Sequence, residues 1–360
     1  MQVAVDGRRF GGRLTELASG VDALYLSGKA NLPAAVLDRL DAARRLAEES
    51  EAPVPFDLGG VGFALAPHGL GRYRYHLDHA QGKVGISPST SLPAIRIQPR
   101  AELIHGVGPV GTVRFFADLL EAEVGPLQLT VSRIDLFADF QGWDLRGNDR
   151  HRFVCRGRTL GTYEADEKFT GFVFGKRSTN TIAARIYDKT TQAQKEGIDY
   201  WPEIWGEAFT PALPVHRVEF EIGRSGLRQY GVAGPDEALA VCGAIWANVT
   251  EEWLTYRLPT ADTTKARWPI AQEWQDVQRA SIRQKSIGLD RTTEGKRLGS
   301  LRTLMPALVG YLVSGGALTG ADTLEETFER LGPEVVQYGR RRQISFEDRI
   351  IARRAEIARS

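Results

Sequence analysis

The chain has 360 residues, 42% hydrophobic and 25% charged, with a formal net charge of +1. That is the balance of a soluble globular protein with room for two domains or one elaborate one, and it excludes nucleic-acid recognition through bulk charge, so any such surface must be local. Two cysteines, Cys155 and Cys242, exclude a disulfide framework and a cysteine metal site; with no signal-peptide pattern and no apolar run of membrane length, a cytoplasmic protein without a membrane partner is expected.

Residues 1–20 are rich in glycine and arginine and are expected to form a loose lead. Val21–Leu26 alternates like a strand, and Leu32–Glu49 has helical spacing through Val36, Leu37, Leu40, Ala43 and Leu46. Pro53 and Pro55 break that helix. Val61–Ala66, Tyr73–Asp78 and Ala94–Gln98 then read as strands, Pro109–Ala122 as a helix and Gln128–Phe140 as a long strand. After Trp143 the pattern starts again. Arg158–Glu164, Gly171–Gly175, Thr181–Asp188 and Val215–Ile222 read as strands, Thr190–Gly197 as a short helix, and Ser225–Tyr230 and Asp236–Tyr256 as helices. The expectation is an α+β fold of two related halves, about 21–143 and 151–258, with largely antiparallel sheets and a pseudo-twofold relation. A linker at 258–265 leads to a helical region over 266–360 that ends in Arg340, Arg341 and Arg342 and further arginines. Such a cluster is a solvated helix face or a phosphate-contacting arm.

Two groups of residues carry chemistry. In the strand ending Arg185-Ile186-Tyr187-Asp188-Lys189, a period of two puts Arg185, Tyr187 and Lys189 on one face, about 6–7 Å apart per step. A phenol of pKa about 10 is scarcely ionised at neutral pH, so flanking cations or a metal would be needed to make it a nucleophile. The bland alternative is a half-exposed tyrosine closing a strand. On Gln128–Phe140, Arg133, Asp135, Phe137 and Asp139 share a face; on Val215–Ile222, Arg217, Glu219 and Glu221 do. If those strands are neighbours, four acids converge, and a divalent cation or arginines must neutralise them. Oxygen ligands alone favour Mg²⁺ or Mn²⁺ over zinc. The alternative is a solvent face on which Arg133 and Arg217 pair the acids locally. The six histidines form no His-hydrophobe-His pair.

Arg133-Ile134-Asp135 with Asp139, then Gly175-Lys176-Arg177-Ser178, Arg185 to Lys189, and Arg217-Val218-Glu219-Phe220-Glu221 resemble the replication initiation factor family in order and approximate spacing, over roughly residues 20–260. That family includes rolling-circle plasmid and phage Rep proteins and related integrative-element relaxases. The resemblance implies an origin-specific, strand-specific DNA nickase and joinase working by tyrosine transesterification through a 5′-phosphotyrosine. On it, Tyr187 is the nucleophile and Arg185 and Lys189 assist it, keeping the phenol deprotonated. Mg²⁺ or Mn²⁺ is held by Asp135 and Glu219 first, then Glu221, then Asp139. Lys176, Arg177, Arg133, Arg217, Arg340, Arg341 and Arg342 would contact DNA, and Trp201 and Trp205 would stack unpaired bases or serve a core. Residues 21–258 would be the catalytic domain and 266–360 a DNA-binding accessory region. A helicase or coupling protein and a homodimer partner are implied by the family alone. Two alternatives stay open: a non-catalytic DNA-binding regulator of the same fold, and a metal-dependent hydrolytic nuclease.

Overall fold

A computed structural model describes residues 12–165, 168–177, 181–284, 308–309, 312–313, 315–341, 345–347 and 350–351. Eleven strands form one sheet: β1 (Thr15–Lys29), β2 (Val54–Leu58), β3 (Val61–Leu65), β4 (Tyr75–His79), β5 (Gly82–Ile86), β6 (Ile95–Pro99), β7 (Gln128–Gln141), β9 (Leu160–Ala165), β10 (Lys168–Phe174), β11 (Ile182–Asp188) and β12 (Val215–Gly223). Their order is β2-β3-β4-β5-β6-β1-β7-β12-β11-β10-β9, and each described pairing is antiparallel. A separate ladder joins β8 (Phe153–Cys155) to β13 (Leu254–Tyr256). The α+β architecture is therefore the one the alternation and turn signals predict. The sheet strands that precede Trp143 and those that follow it adjoin where β7 pairs with β12, the seventh and eighth of the eleven strands.

Helices α1 (Ala34–Ser50), α2 (Ala101–Val124), α3 (Lys189–Glu196), α4 (Trp201–Trp205), α5 (Arg224–Gln229), α6 (Pro235–Ala240), α7 (Cys242–Asn248) and α8 (Gln272–Gln278) connect and cover the strands. Most of the core gathers Ile134, Leu136, Ala138, Val218, Phe220 and Ile222 on one face with Trp246 and Trp274. The opposite face carries a smaller apolar group of Leu17, Phe137, Ala193, Trp201, Trp205 and Val215. Both faces of the central strands are thus covered, and β12 is buried along its whole length. None of the described helices is long and apolar enough to cross a membrane.

Several boundaries differ from the sequence expectations for identifiable reasons. Thr15–Gly20, placed in the loose lead, belongs to β1, where it pairs with the end of β7. β2 contains Pro55, which reads as a breaker but is tolerated because β2 is the sheet edge. β5 is hidden by Gly82 and Gly85, at which a Cβ would approach Gln98 O to 2.6 Å and Tyr73 Cβ to 2.9 Å. α2 begins eight residues before Pro109, because the kink at Gly108 (φ 77) lets a first segment precede the proline. The helical pattern expected to reach Tyr256 ends in a π turn at Val249–Trp253, after which Leu254–Tyr256 pairs with β8. Beyond 258–265, Trp274, Val277, Ala280 and Ile282 pack into the main core. A further helix, Leu324–Arg341, carries exposed Arg340 and Arg341; Arg342, Arg353, Arg354 and Arg359 lie outside the described residues.

Candidate active site on the central strands

The condition on which the four acids converge is met. Asp135 lies directly across from Glu221, Asp139 from Arg217, and Phe137 from Glu219. On the other side of β12, Arg185 is opposite Glu219 and Tyr187 opposite Arg217. Directly opposed residues share a face, so the alternation in β7, β11 and β12 assembles one polar patch without any loop. This patch is not a solvent face, because α4 and the start of α2 cover it. Asp135, Asp139, Glu219 and Arg217 are all 1% exposed or less.

Burial at this density demands pairing, and arginine supplies it. Arg217 donates to Asp139 through Nε at 2.7 Å and Nη2 at 2.8 Å, and to Asp22 through Nη1 at 2.6 Å. Its guanidinium lies 4.0 Å from the Phe137 ring centroid and 4.1 Å from that of Trp201. Trp205 Nε1 completes Asp139 at 2.9 Å. Arg133 forks onto both oxygens of Asp135 and lies 3.0 Å from Glu221, which also accepts from Arg177 Nε at 3.1 Å. Arg185 donates to Glu219 Oε1. The formal charges of Asp22, Asp135, Asp139, Glu219 and Glu221 are balanced by Arg133, Arg177, Arg185, Lys189 and Arg217.

Tyr187 sits within this lattice. Its hydroxyl donates to Glu219 Oε2 at 3.1 Å, and the Arg185 guanidinium lies 5.0 Å from its ring centroid. Burial, then the Glu219 carboxylate, push the phenol well above its ordinary pKa, outweighing Arg217 and Arg185. The expectation that Arg185 and Lys189 keep the phenol ionised is therefore reversed here: Arg185 is held by Glu219, and Lys189 lies 6.0 Å from the tyrosine ring but 4.6 Å from Trp201. Burial and Arg217 lower Lys189 to about 8. Its place is set by Asp188, which caps α3 by accepting from Thr191 N and Oγ1 at 3.0 and 2.7 Å.

Gly171 on β10 is opposite Tyr187, where a Cβ would come within 2.7 Å of Tyr187 Cα and 2.3 Å of Ile186 O. Gly171→Ala is expected to cost about 1–3 kcal/mol, the range for overpacking, and to displace Tyr187 from Glu219. Urea denaturation and the near-ultraviolet tyrosine signal would read the two effects.

The fit of a divalent cation divides these acids. Asp135 and Glu221, opposed and oxygen-only, suit Mg²⁺ or Mn²⁺ in kind. Burial, offset by Arg133, together with Glu219 and Glu221, raises Asp135 to about 7, as expected where carboxylates crowd. As arranged, though, Arg133 and Arg177 hold their oxygens, and among the described residues no group of three or more His, Cys, Asp or Glu could hold a metal ion. Glu219 is turned to Tyr187 and Arg185. Asp139 does not fit, since both oxygens serve Arg217 and Trp205.

Of the expected DNA contacts, Arg217 is corrected: it is wholly buried and tied to two carboxylates. Trp201 and Trp205 are likewise buried and pack the face instead of awaiting bases. Arg133 is 18% and Arg177 35% exposed through their side chains, and Lys176 is exposed. Two site residues escaped the sequence reading. Asp22 is the extra residue of a bulge between Val21 and Ala23, a device that redirects a side chain. Burial works against its carboxylate, but Arg217, His105 and Lys189 outweigh it and hold it well below the usual range. His105 Nε2 lies 3.2 Å from Asp22 Oδ1. An acid inside the apolar run Val21–Leu26 was the available signal.

Beside Arg217 on β12 and opposite Asp188, burial lowers His216 to about 4 against Asp188 and Asp144. A neutral buried histidine whose unfolded pKa is 6.5 gives stability that is complete above 6.5 and is lost as pH falls towards 4. His216→Gln is expected to remove up to about 3 kcal/mol of that pH dependence, at about 1.36 kcal/mol per unit. Urea midpoints of wild type and variant across that window check it.

No family model and no curated protein matches the chain. Among solved structures, a rolling circle replication initiator protein from Geobacillus stearothermophilus aligns over 74% of this chain and 97% of its own, with a TM-score of 0.41 and 17% identity.

Proposed function

We propose that this face nicks and rejoins single-stranded DNA by transesterification at Tyr187, as in initiation of rolling-circle replication or conjugative transfer. The observation that carries the reading is the bond from the Tyr187 hydroxyl to Glu219 Oε2 at 3.1 Å, with Arg185 spanning the pair. It is the arrangement of a nucleophile and its base, the base held by a third group. Arg185 Nε is buried without a partner among the described residues, which leaves a donor for a phosphate oxygen. In the step proposed, Tyr187 Oη bonds to phosphorus and its proton passes to Glu219. The P–O3′ bond breaks and the 3′-oxygen leaves with the electron pair, to be protonated as a free 3′-OH. The reverse attack by a 3′-OH restores the strand and releases tyrosine.

Arg133 and Arg177 connect this chemistry to DNA. Both bridge carboxylates at the exposed edge of the lattice, and phosphates compete with carboxylates for guanidinium. Their transfer to backbone phosphates would free Asp135 and Glu221 for Mg²⁺ or Mn²⁺. A divalent ion bound there supplies positive charge to the scissile phosphate and the departing oxygen. Exchange of this kind predicts that Mn²⁺ raises the melting temperature of the protein with an oligonucleotide bound, and much less without it.

The burial of Tyr187, 9% exposed with its pKa raised, favours a second reading: a DNA-binding regulator in which the cluster only holds the sheet together. Incubating the protein and Mn²⁺ with labelled single-stranded oligonucleotides and supercoiled DNA from its own genome separates these. A labelled protein band on a denaturing gel supports transesterification. Cleavage without that band supports a hydrolytic nuclease, and specific binding without cleavage supports the regulator.

A further inference from the structure

At the end of β11 away from Tyr187, the connection between β8 and β9, Gly175 and Lys176 after β10, α5 and the π turn before β13 line an open cavity of about 430 Å³. That volume is within the range of small-ligand sites, about 300–1,000 Å³. Arg156, Arg158, Lys176 and Trp253, with Thr159, Thr181 and Gln229, furnish its functional groups, and no carboxylate is among its lining residues. Glycines keep it open. A Cβ on Gly157 would lie 3.0 Å from Gly175 N, and one on Gly175 (φ 74) 3.4 Å from Trp253 Cη2.

The chemistry of the walls is selective. Arg158 is exposed and has no hydrogen bond or ion pair among the described residues. Arg156 pairs with Glu252 at 2.7 Å, but both side chains are more than half exposed, and such a pair exchanges readily for a better anion. Trp253 is half-buried and anchored edge-to-face on Phe220, with centroids 6.2 Å apart. Arg158 without an acid, and Arg156 in an exchangeable pair, beside an indole suit a phosphate joined to a planar base: guanidinium takes the phosphate, and the base stacks on the aromatic ring.

The position favours a nucleotide within a strand. Lys176 lines the cavity, while Arg177, the next residue, reaches Glu221 in the Tyr187 lattice at 3.1 Å. Along β11, Ile182 to Tyr187 spans about 17 Å at about 3.3 Å per residue, or about five stacked nucleotides at about 3.4 Å each. We propose that this cavity binds one nucleotide of the single-stranded DNA that reaches Tyr187, its base on Trp253 and its phosphate on Arg158 and Arg156. The site rests on the DNA-processing reading and adds to it a second, non-catalytic anchor that would fix where along the strand the phosphate is presented.

The probe is a thymidine homopolymer carrying 5-iodouracil, cross-linked by light and mapped by mass spectrometry, beside fluorescence anisotropy across salt concentrations. Cross-linking to Trp253 is expected in wild type and equally in Tyr187→Phe. Arg158→Ala, a surface change, is expected to weaken binding about 10-fold and to lower the salt slope by about 1. Trp253→Leu should lose the cross-link; the Arg158 variant keeps the test valid if that change unfolds the protein. DNA binding with no Trp253 cross-link and an unchanged Arg158→Ala would overturn the cavity while leaving the Tyr187 reading intact. Displacement of the cross-link by thymidine monophosphate at lower concentrations than by unlabelled homopolymer would assign a free nucleotide and overturn the strand anchor. Absence of DNA binding by wild type in both assays would overturn both readings together.

Discussion

Arg217→Met is expected to destabilise the protein by about 3–5 kcal/mol, the range for removing one partner of a buried ion pair. That is a large share of the roughly 5–15 kcal/mol that holds a domain folded. The guanidinium is completely buried and answers both Asp139 and Asp22 while lying against the rings of Phe137 and Trp201. Methionine keeps much of the packing but leaves the Asp139 carboxylate, 0% exposed, with the Trp205 indole as its one remaining donor among the described residues. Asp139→Leu in the same chain should recover part of the loss, because the Arg217–Asp139 pair is then replaced whole by apolar side chains, which is often neutral, while Asp22 is left with His105. Urea denaturation of the two single variants and the double variant measures the coupling. An Arg217→Met protein as stable as wild type would mean that Arg217 is free to serve DNA, contrary to its position here.

Arg217 also marks where sequence legibility ends. That Arg133, Asp135 and Asp139 share one face of β7, and Arg217, Glu219 and Glu221 one face of β12, follows from the period-two geometry of a strand. The pairing of β7 with β12 does not follow, because strand pairing is a non-local outcome and nothing in either segment names its partner. Without that pairing, Arg217 looks like a surface cation. Burial of the acid face was equally hidden. Alternation in Val215–Ile222 reads as a half-exposed strand, and only the placement of Trp201, Trp205 and His105 over it shows otherwise. His105 was obscured because Pro109 reads as a helix start, and Asp22 because a bulge breaks the alternation by which a strand is recognised. Tyr187 was legible as a residue, but its environment was not. The flanking cations Arg185 and Lys189 suggest an acidified phenol, whereas the three-dimensional neighbour Glu219 makes a less acidic one.

That neighbour determines how the chemistry must be tested. Tyr187→Phe removes the oxygen proposed as nucleophile and one hydrogen bond to Glu219, so on that proposal the covalent protein–DNA product should fall by a factor on the order of 10⁶, the scale seen when a covalent nucleophile is lost. On a denaturing gel the labelled protein band should vanish, while anisotropy with the same oligonucleotide stays within about 2-fold of wild type by the affinity arithmetic of a single unchanged surface. Glu219→Gln is the discriminating companion. Glutamine keeps one accepting oxygen for Arg185 and turns its NH₂ to the Tyr187 hydroxyl, so it can donate to the phenol but cannot take its proton, and the step should slow by about 10²–10⁴-fold, the contribution of a positioned general base. Because the deficit lies in removing that proton, raising the pH should restore activity in Glu219→Gln more steeply than in wild type. If instead Glu219 held a metal and the phenol ionised unaided, excess Mn²⁺ would rescue Glu219→Gln and alkaline pH would not. The two rescues separate a carboxylate that moves a proton from one that binds an ion, at the residue that joins the Tyr187 hydroxyl to the arginine lattice.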